Sequence, residues 1–109
     1  MTPLSDDVLI SHIIEQCERI LKLTANIDFE EFRKNDVYQD AAVRNIEIIG
    51  EAAKNLSSSF NEESYGISVS EIVGMRNFLI HQYFRVDSRI VWNTCIREVP
   101  ELYRKLKKL

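Results

Sequence analysis

Apolar residues in the first quarter of the chain recur at helical spacing. Ile10, Ile13, Ile14, Cys17, Leu21 and Thr24 form one stripe behind Ser5-Asp6-Asp7, whose oxygens suit a helix start. This predicts a first helix running to about Lys22 or Thr24. The acidic stretch from Asp28 to Lys34 is expected to add a turn or two. Asp36-x-x-Gln39 then offers a capping-box-like start for a second long helix with the stripe Ala42, Ile46, Ile49, Ala53 and Leu56. Gly50 lies inside that helix at a cost of about 1 kcal/mol relative to alanine, which points to a close helix contact there. Ser57-Ser58-Ser59 ends it. Residues 60–67 read as a loop, and Ser68-x-x-Glu71 as a second capping box ahead of Ile72, Met75 and Leu79, for a third helix over 69–84. Asp87 caps a fourth, with the nearly heptad-like stripe Val91, Cys95, Val99, Leu102, Leu106 and Leu109. Pro100 interrupts it, so a bend is expected near Ile96 to Val99.

The expected fold is all-α, an antiparallel bundle of four helices, or five with the short extra one, forming a single domain over 1–109. Three glycines and two prolines in 109 residues argue against a turn-rich β sandwich or barrel. They also leave no G-x-G-x-x-G and no phosphate loop, so phosphate chemistry must fall to side chains. A chain this short buries a limited core, which favours a two-fold self-association. No signal-peptide or membrane-spanning pattern opens the chain, and a cytoplasmic location is expected. Cys17 and Cys95 stand on apolar stripes and read as core. With only two cysteines and two histidines, a zinc site lacks ligands, and no metal or cofactor is expected.

The net charge of −3 conceals a split. Residues 1–75 hold 6 Lys and Arg against 14 Asp and Glu, a net of −8; residues 76–109 hold 8 against 3, a net of +5. Arg104, Lys105, Lys107 and Lys108 suit a helix C-terminus, or alternatively a basic face for a polyanion.

Chemistry concentrates on the third helix. At about 100° per residue, Ile72, Leu79, Ile80 and Tyr83 all lie within about 60° of Arg76, so a guanidinium sits in an apolar face. Burying it alone is expensive. Either Glu47 and Glu51 of the second helix hold it in a buried ion pair, or it borders a cleft or subunit seam. Asn77 and His81, four apart, share a strip beside it. Arginine suits bidentate phosphate contact, and imidazole both accepts and donates a proton near neutral pH. His12, opposite its own helix's apolar stripe, reads as solvated. Cleaving RNA through its own 2′-hydroxyl needs a base, an acid and a cation at the phosphorane. A single His81 for two proton tasks favours a two-fold dimer that brings His81 and Arg76 of both subunits to one cleft.

The string Arg76-Asn77-Phe78-Leu79-Ile80-His81-Gln82-Tyr83 resembles the R-x4-6-H-x-Y motif of the HEPN superfamily in its four-residue-gap form. With Tyr83-Phe84-Arg85-Val86-Asp87 after it and Ile49-Gly50-Glu51-Ala52 in the second helix, nearly the whole chain is similar to the HepT toxin family. That resemblance implies a HEPN-like fold and a dimeric, metal-independent endoribonuclease toxin. It also implies a cognate antitoxin partner, an ATP-using minimal nucleotidyltransferase of the MntA type that transfers AMP to Tyr83. Arg76 then reads as phosphate clamp, Asn77 as orienting group and His81 as acid/base, with Glu47 and Glu51 in support. Two other readings stand beside it: a helical module that docks a nucleotidyltransferase or nucleotide without cutting, and a purely structural bundle.

Overall fold

Ser5 starts the first helix as its pattern requires: its Oγ accepts the Val8 N–H at 3.3 Å, and α1 spans Asp6–Thr24. The computed structural model describes residues 4–81 and 87–109, and the regular elements among them are all helical. The acidic stretch forms α2, Phe29–Lys34, with Asp28 accepting the Glu31 N–H at 2.9 Å. What makes six residues worth ordering is Phe32, wholly buried, whose ring lies 5.2 Å from that of Trp92.

The second long helix, α3, spans Asp36–Lys54. Its cap is Asn35, one residue before the expected box, accepting from Val37 and Tyr38 N–H at 3.0 and 3.3 Å. Gln39 does not close a capping box. Its Nε2 donates to the Phe32 and Arg33 carbonyls, both at 3.0 Å, because the end of α2 leaves orphan acceptors one turn away.

Residues 60–67 are not all loop. Glu62–Tyr65 form a short α4, capped by Asn61, which accepts the Ser64 N–H at 3.2 Å. Gly66 closes it at φ 69°, a left-handed position that glycine takes without strain. The stacked Phe60 and Tyr65 rings, 5.4 Å apart, brace the turn from either end. Glu62 then accepts the Val69 N–H while Ser68 accepts the Glu71 N–H, and together they start α5, Val69–His81. The third helix was expected to reach 84; residues 82–84 lie outside the described residues.

Asp87 caps the fourth helix as expected, accepting the Arg89 N–H at 2.9 Å. Its bend takes a specific form: α6, Ser88–Asn93, passes through a π-turn at Thr94–Glu98 into α7, Val99–Leu106. Pro100 has no N–H to give to Ile96 and its ring crowds that carbonyl. Widening the turn lets the Val99 N–H bond the Thr94 carbonyl instead. The extra residue is absorbed without turning the stripe outward, since Val91, Cys95, Val99, Leu102 and Leu106 are all buried, although Leu109 is exposed.

Packing explains the antiparallel order. Asp6 at the start of α1 accepts the N–H and O–H of Ser57, just past the end of α3, at 2.8 and 2.6 Å. Helix α3 packs on both α1 and α5, and α7 packs on α1, where Tyr103 donates to Glu18 at 3.1 Å. Ile13, Ile20, Ile46, Ile49, Val91 and Val99 close the core at 0–1% exposure, each burial contributing about 1.5–3 kcal/mol. No helix among the described residues is long and apolar enough to cross a membrane.

Candidate active site

Helix α5 seats Ile72 and Leu79 in the core, and its register carries Arg76 to the edge of that same face. The Arg76 side chain is 27% exposed. Its stem crosses α3 at Gly50: a Cβ on that glycine would fall under 3 Å from Arg76 Cβ and Cγ and 3.1 Å from Cδ. The close contact that Gly50 predicted is therefore a contact with the candidate clamp itself.

Beyond Gly50 the guanidinium is held by its ends. Nη1 donates to Asn77 Oδ1 at 2.9 Å and Nη2 to Glu51 Oε1 at 3.3 Å. Nε is buried and has no partner among the described residues. Glu51 is 65% exposed, so the ion pair faces water and is worth about 0.2–1 kcal/mol. The two carboxylates one turn apart thus have different tasks: Glu47 accepts from Arg44 at 3.2 Å, leaving Glu51 as the partner of Arg76.

Among the described residues the other side of α5 is open: Asn77 is half-buried, Gly74 and Phe78 are exposed, and a Cβ on Gly74 would meet none of them within 4 Å. His81 is the last residue of α5, one turn beyond Asn77. Its side chain, and Tyr83, lie outside the described residues. Phe78, a large apolar ring at 49% exposure, lies about 160° round the helix from Arg76, away from the face that carries Ile72 and Leu79.

Elsewhere the basic residues at the end of α7 are engaged locally. Arg104 and Lys105 both face Glu101, at 2.6 and 3.7 Å, while Lys107 and Lys108 lie over the Tyr103 and Tyr65 rings. Burial pushes the Cys17 and Cys95 thiols up to about 12, so neither is a nucleophile near neutral pH. His12 is exposed on α1. Among the described residues no three or more His, Cys, Asp or Glu side chains converge to hold a metal ion.

Comparison with known proteins covers most of the chain. The family described as Ribonuclease HepT-like matches residues 13–109. A candidate RNase of Caldanaerobacter subterraneus subsp. tengcongensis is 44% identical over 100 residues, 92% of this chain and 89% of that one. A candidate RNase of Methanocaldococcus jannaschii is 40% identical over 97 residues, 89% of this chain and 80% of its own length. A probable ribonuclease HepT of Thermococcus cleftensis is 40% identical over 100 residues, 92% and 91% of the two chains. No solved structure matches.

Proposed function

Because the chain belongs to the HepT-like ribonuclease family, we propose that it cuts RNA through attack by the substrate's own 2′-hydroxyl, in a cleft between two copies of the chain. Arg76 grips the scissile phosphate, the geometry that supports this being a guanidinium held by one neutral and one solvent-exposed partner a turn and a half before His81. Asn77 orients that guanidinium through Nη1. One imidazole removes the 2′-hydroxyl proton, the oxygen attacks phosphorus, and the P–O5′ bond breaks as a second acid protonates the departing oxygen. The products are a 2′,3′-cyclic phosphate and a 5′-hydroxyl, with no net change in protons. A two-fold axis beside His81 supplies both imidazoles.

The chain acts in this reading as the toxin of a toxin–antitoxin pair in the cytoplasm. Its partner is a minimal nucleotidyltransferase of the MntA type. The Tyr83 phenol oxygen attacks the α-phosphorus of ATP, releasing pyrophosphate, and the AMP left behind brings negative charge and bulk to a site built for an RNA phosphate.

The test is digestion of an RNA oligonucleotide by the purified chain beside His81→Ala, which is expected to be about 10²–10⁴-fold slower. A 2′-deoxy ribose at the cut position should stop cleavage. Cutting of the 2′-deoxy substrate, or native activity in His81→Ala, overturns the mechanism. The Arg76–Glu51 pair favours one other reading, a binding module in which that arginine is merely structural. Growth arrest on expression of the chain alone separates the two, since a module that cuts nothing does not arrest growth.

A further inference from the structure

We infer that Gly50, one helix away from the R-x4-H motif, is a positioning residue that sets the course of the Arg76 guanidinium. The inference rests on Arg76 as the phosphate clamp. Three observations carry it. First, α3 has space for the arginine stem only because position 50 has no side chain. The atoms a Cβ would meet there are Arg76 Cβ and Cγ, the root of the side chain and not its flexible end. A rotamer change at the tip cannot relieve a collision at the root, so a side chain at 50 must move the whole guanidinium or part the helices.

Second, Nε is buried with no partner among the described residues. A buried N–H left without an acceptor is costly, so the fold holds the stem here against a local preference for water. Third, the next residue, Glu51, supplies the Nη2 partner at 3.3 Å, and Asn77 fixes Nη1 at 2.9 Å. The notch and the two partners define one line of approach, from the α3 backbone to the outer edge of α5. A glycine inside a 19-residue helix forgoes helix propensity relative to alanine. Its return is an arginine aimed within the tolerance catalysis demands, since a misplacement of about 1 Å at a reacting group can cost about 100-fold.

The experiment compares the full chain with Gly50→Ala and Glu51→Lys by kcat and KM on an RNA oligonucleotide, by thermal melting, and by the ¹⁵N–¹H signal of Arg76 Nε. In the native chain that signal is expected to exchange slowly, because the group is shut off from water. Gly50→Ala is expected to melt cooperatively, lose about 10–100-fold in kcat and lose the slow-exchanging signal as the head group is expelled. Should Gly50→Ala fail to fold, Glu51→Lys, at a solvent-facing position, is expected to fold, repel the guanidinium and lower kcat at least tenfold. Fast exchange in the native chain overturns the inference. So does a folded Gly50→Ala with native kcat and an unaltered Nε signal, or a Glu51→Lys with native kcat. Parallel assay of His81→Ala separates the two levels. If His81→Ala still cuts, the cleavage mechanism fails, and the Nε signal alone judges the positioning; if it is inactive and Gly50→Ala is native, only the positioning fails.

Discussion

Replacing Arg76 by alanine should leave the chain folded and its chemistry lost. The losses in stability are readable from the contacts. The Glu51 pair is exposed and contributes about 0.2–1 kcal/mol. The bond to Asn77 adds about 1 kcal/mol. The two methylenes that cross Gly50 add about 0.8 kcal/mol each at full burial. Against these, deletion removes a buried Nε that has no partner among the described residues and recovers about 1–3 kcal/mol. The net cost is about 1 kcal/mol, and for a domain of this size a fall in Tm of no more than about 10 °C is expected. The catalytic loss is of another order: removing one preorganised donor from a developing oxyanion costs about 10²–10³ in kcat. Circular dichroism melts and RNA digestion on the same preparation measure both. A chain that no longer folds would mean the guanidinium is an uncompensated internal charge, and a native cleavage rate would mean it never meets the phosphate.

Other outcomes follow from separate parts of the molecule. Tyr83→Phe, co-expressed with a minimal nucleotidyltransferase of the MntA type, should show no AMP adduct by intact-mass spectrometry, whereas the native chain gains one or more. Ser57 holds the Asp6 carboxyl below its ordinary value of 3.8, so the tie stabilises the fold above that value and is lost as pH falls through the lower native one. The Tm gap between the native chain and Asp6→Asn should therefore be widest near neutrality and narrow on strong acidification; a constant gap refutes the link. Cys17 and Cys95, both fully buried, should resist a thiol reagent at pH 8 in the folded chain and react once it is denatured.

Much of the architecture was legible because it depends on periodicity. The stripe of α3 and the register that puts Arg76 beside Ile72 and Leu79 follow from 3.6 residues per turn, and the structure keeps them. Position 100 announced a disturbance but not its form, since a kink and a π-turn both answer a missing N–H. What escaped was decided between segments. Asn35 wins the cap of α3 because Gln39 is drawn to the end of α2, a competition that neither helix shows alone. Helix α4 is too short for a stripe and rests on Asn61, Gly66 and an aromatic stack. At the candidate site, Glu47 and Glu51 are equivalent as letters one turn apart; only the angle between α3 and α5 gives the arginine to Glu51. Gly50 could be seen as a close contact, but its neighbour could not be named before the helices were placed.

The chain's one tryptophan has a use of its own. Trp92, 8% exposed, packs near both Phe29 and Phe32 where α2 meets α6, and the Arg89 guanidinium lies over the Phe29 ring. Its fluorescence is therefore expected to be blue-shifted in the native state, far from quenchers in solution, and to redden only when that aromatic joint opens. Because the indole belongs to a joint that α5 does not build, an optical change on adding substrate reports motion carried through the scaffold, and a silent spectrum alongside active cleavage reports a rigid one.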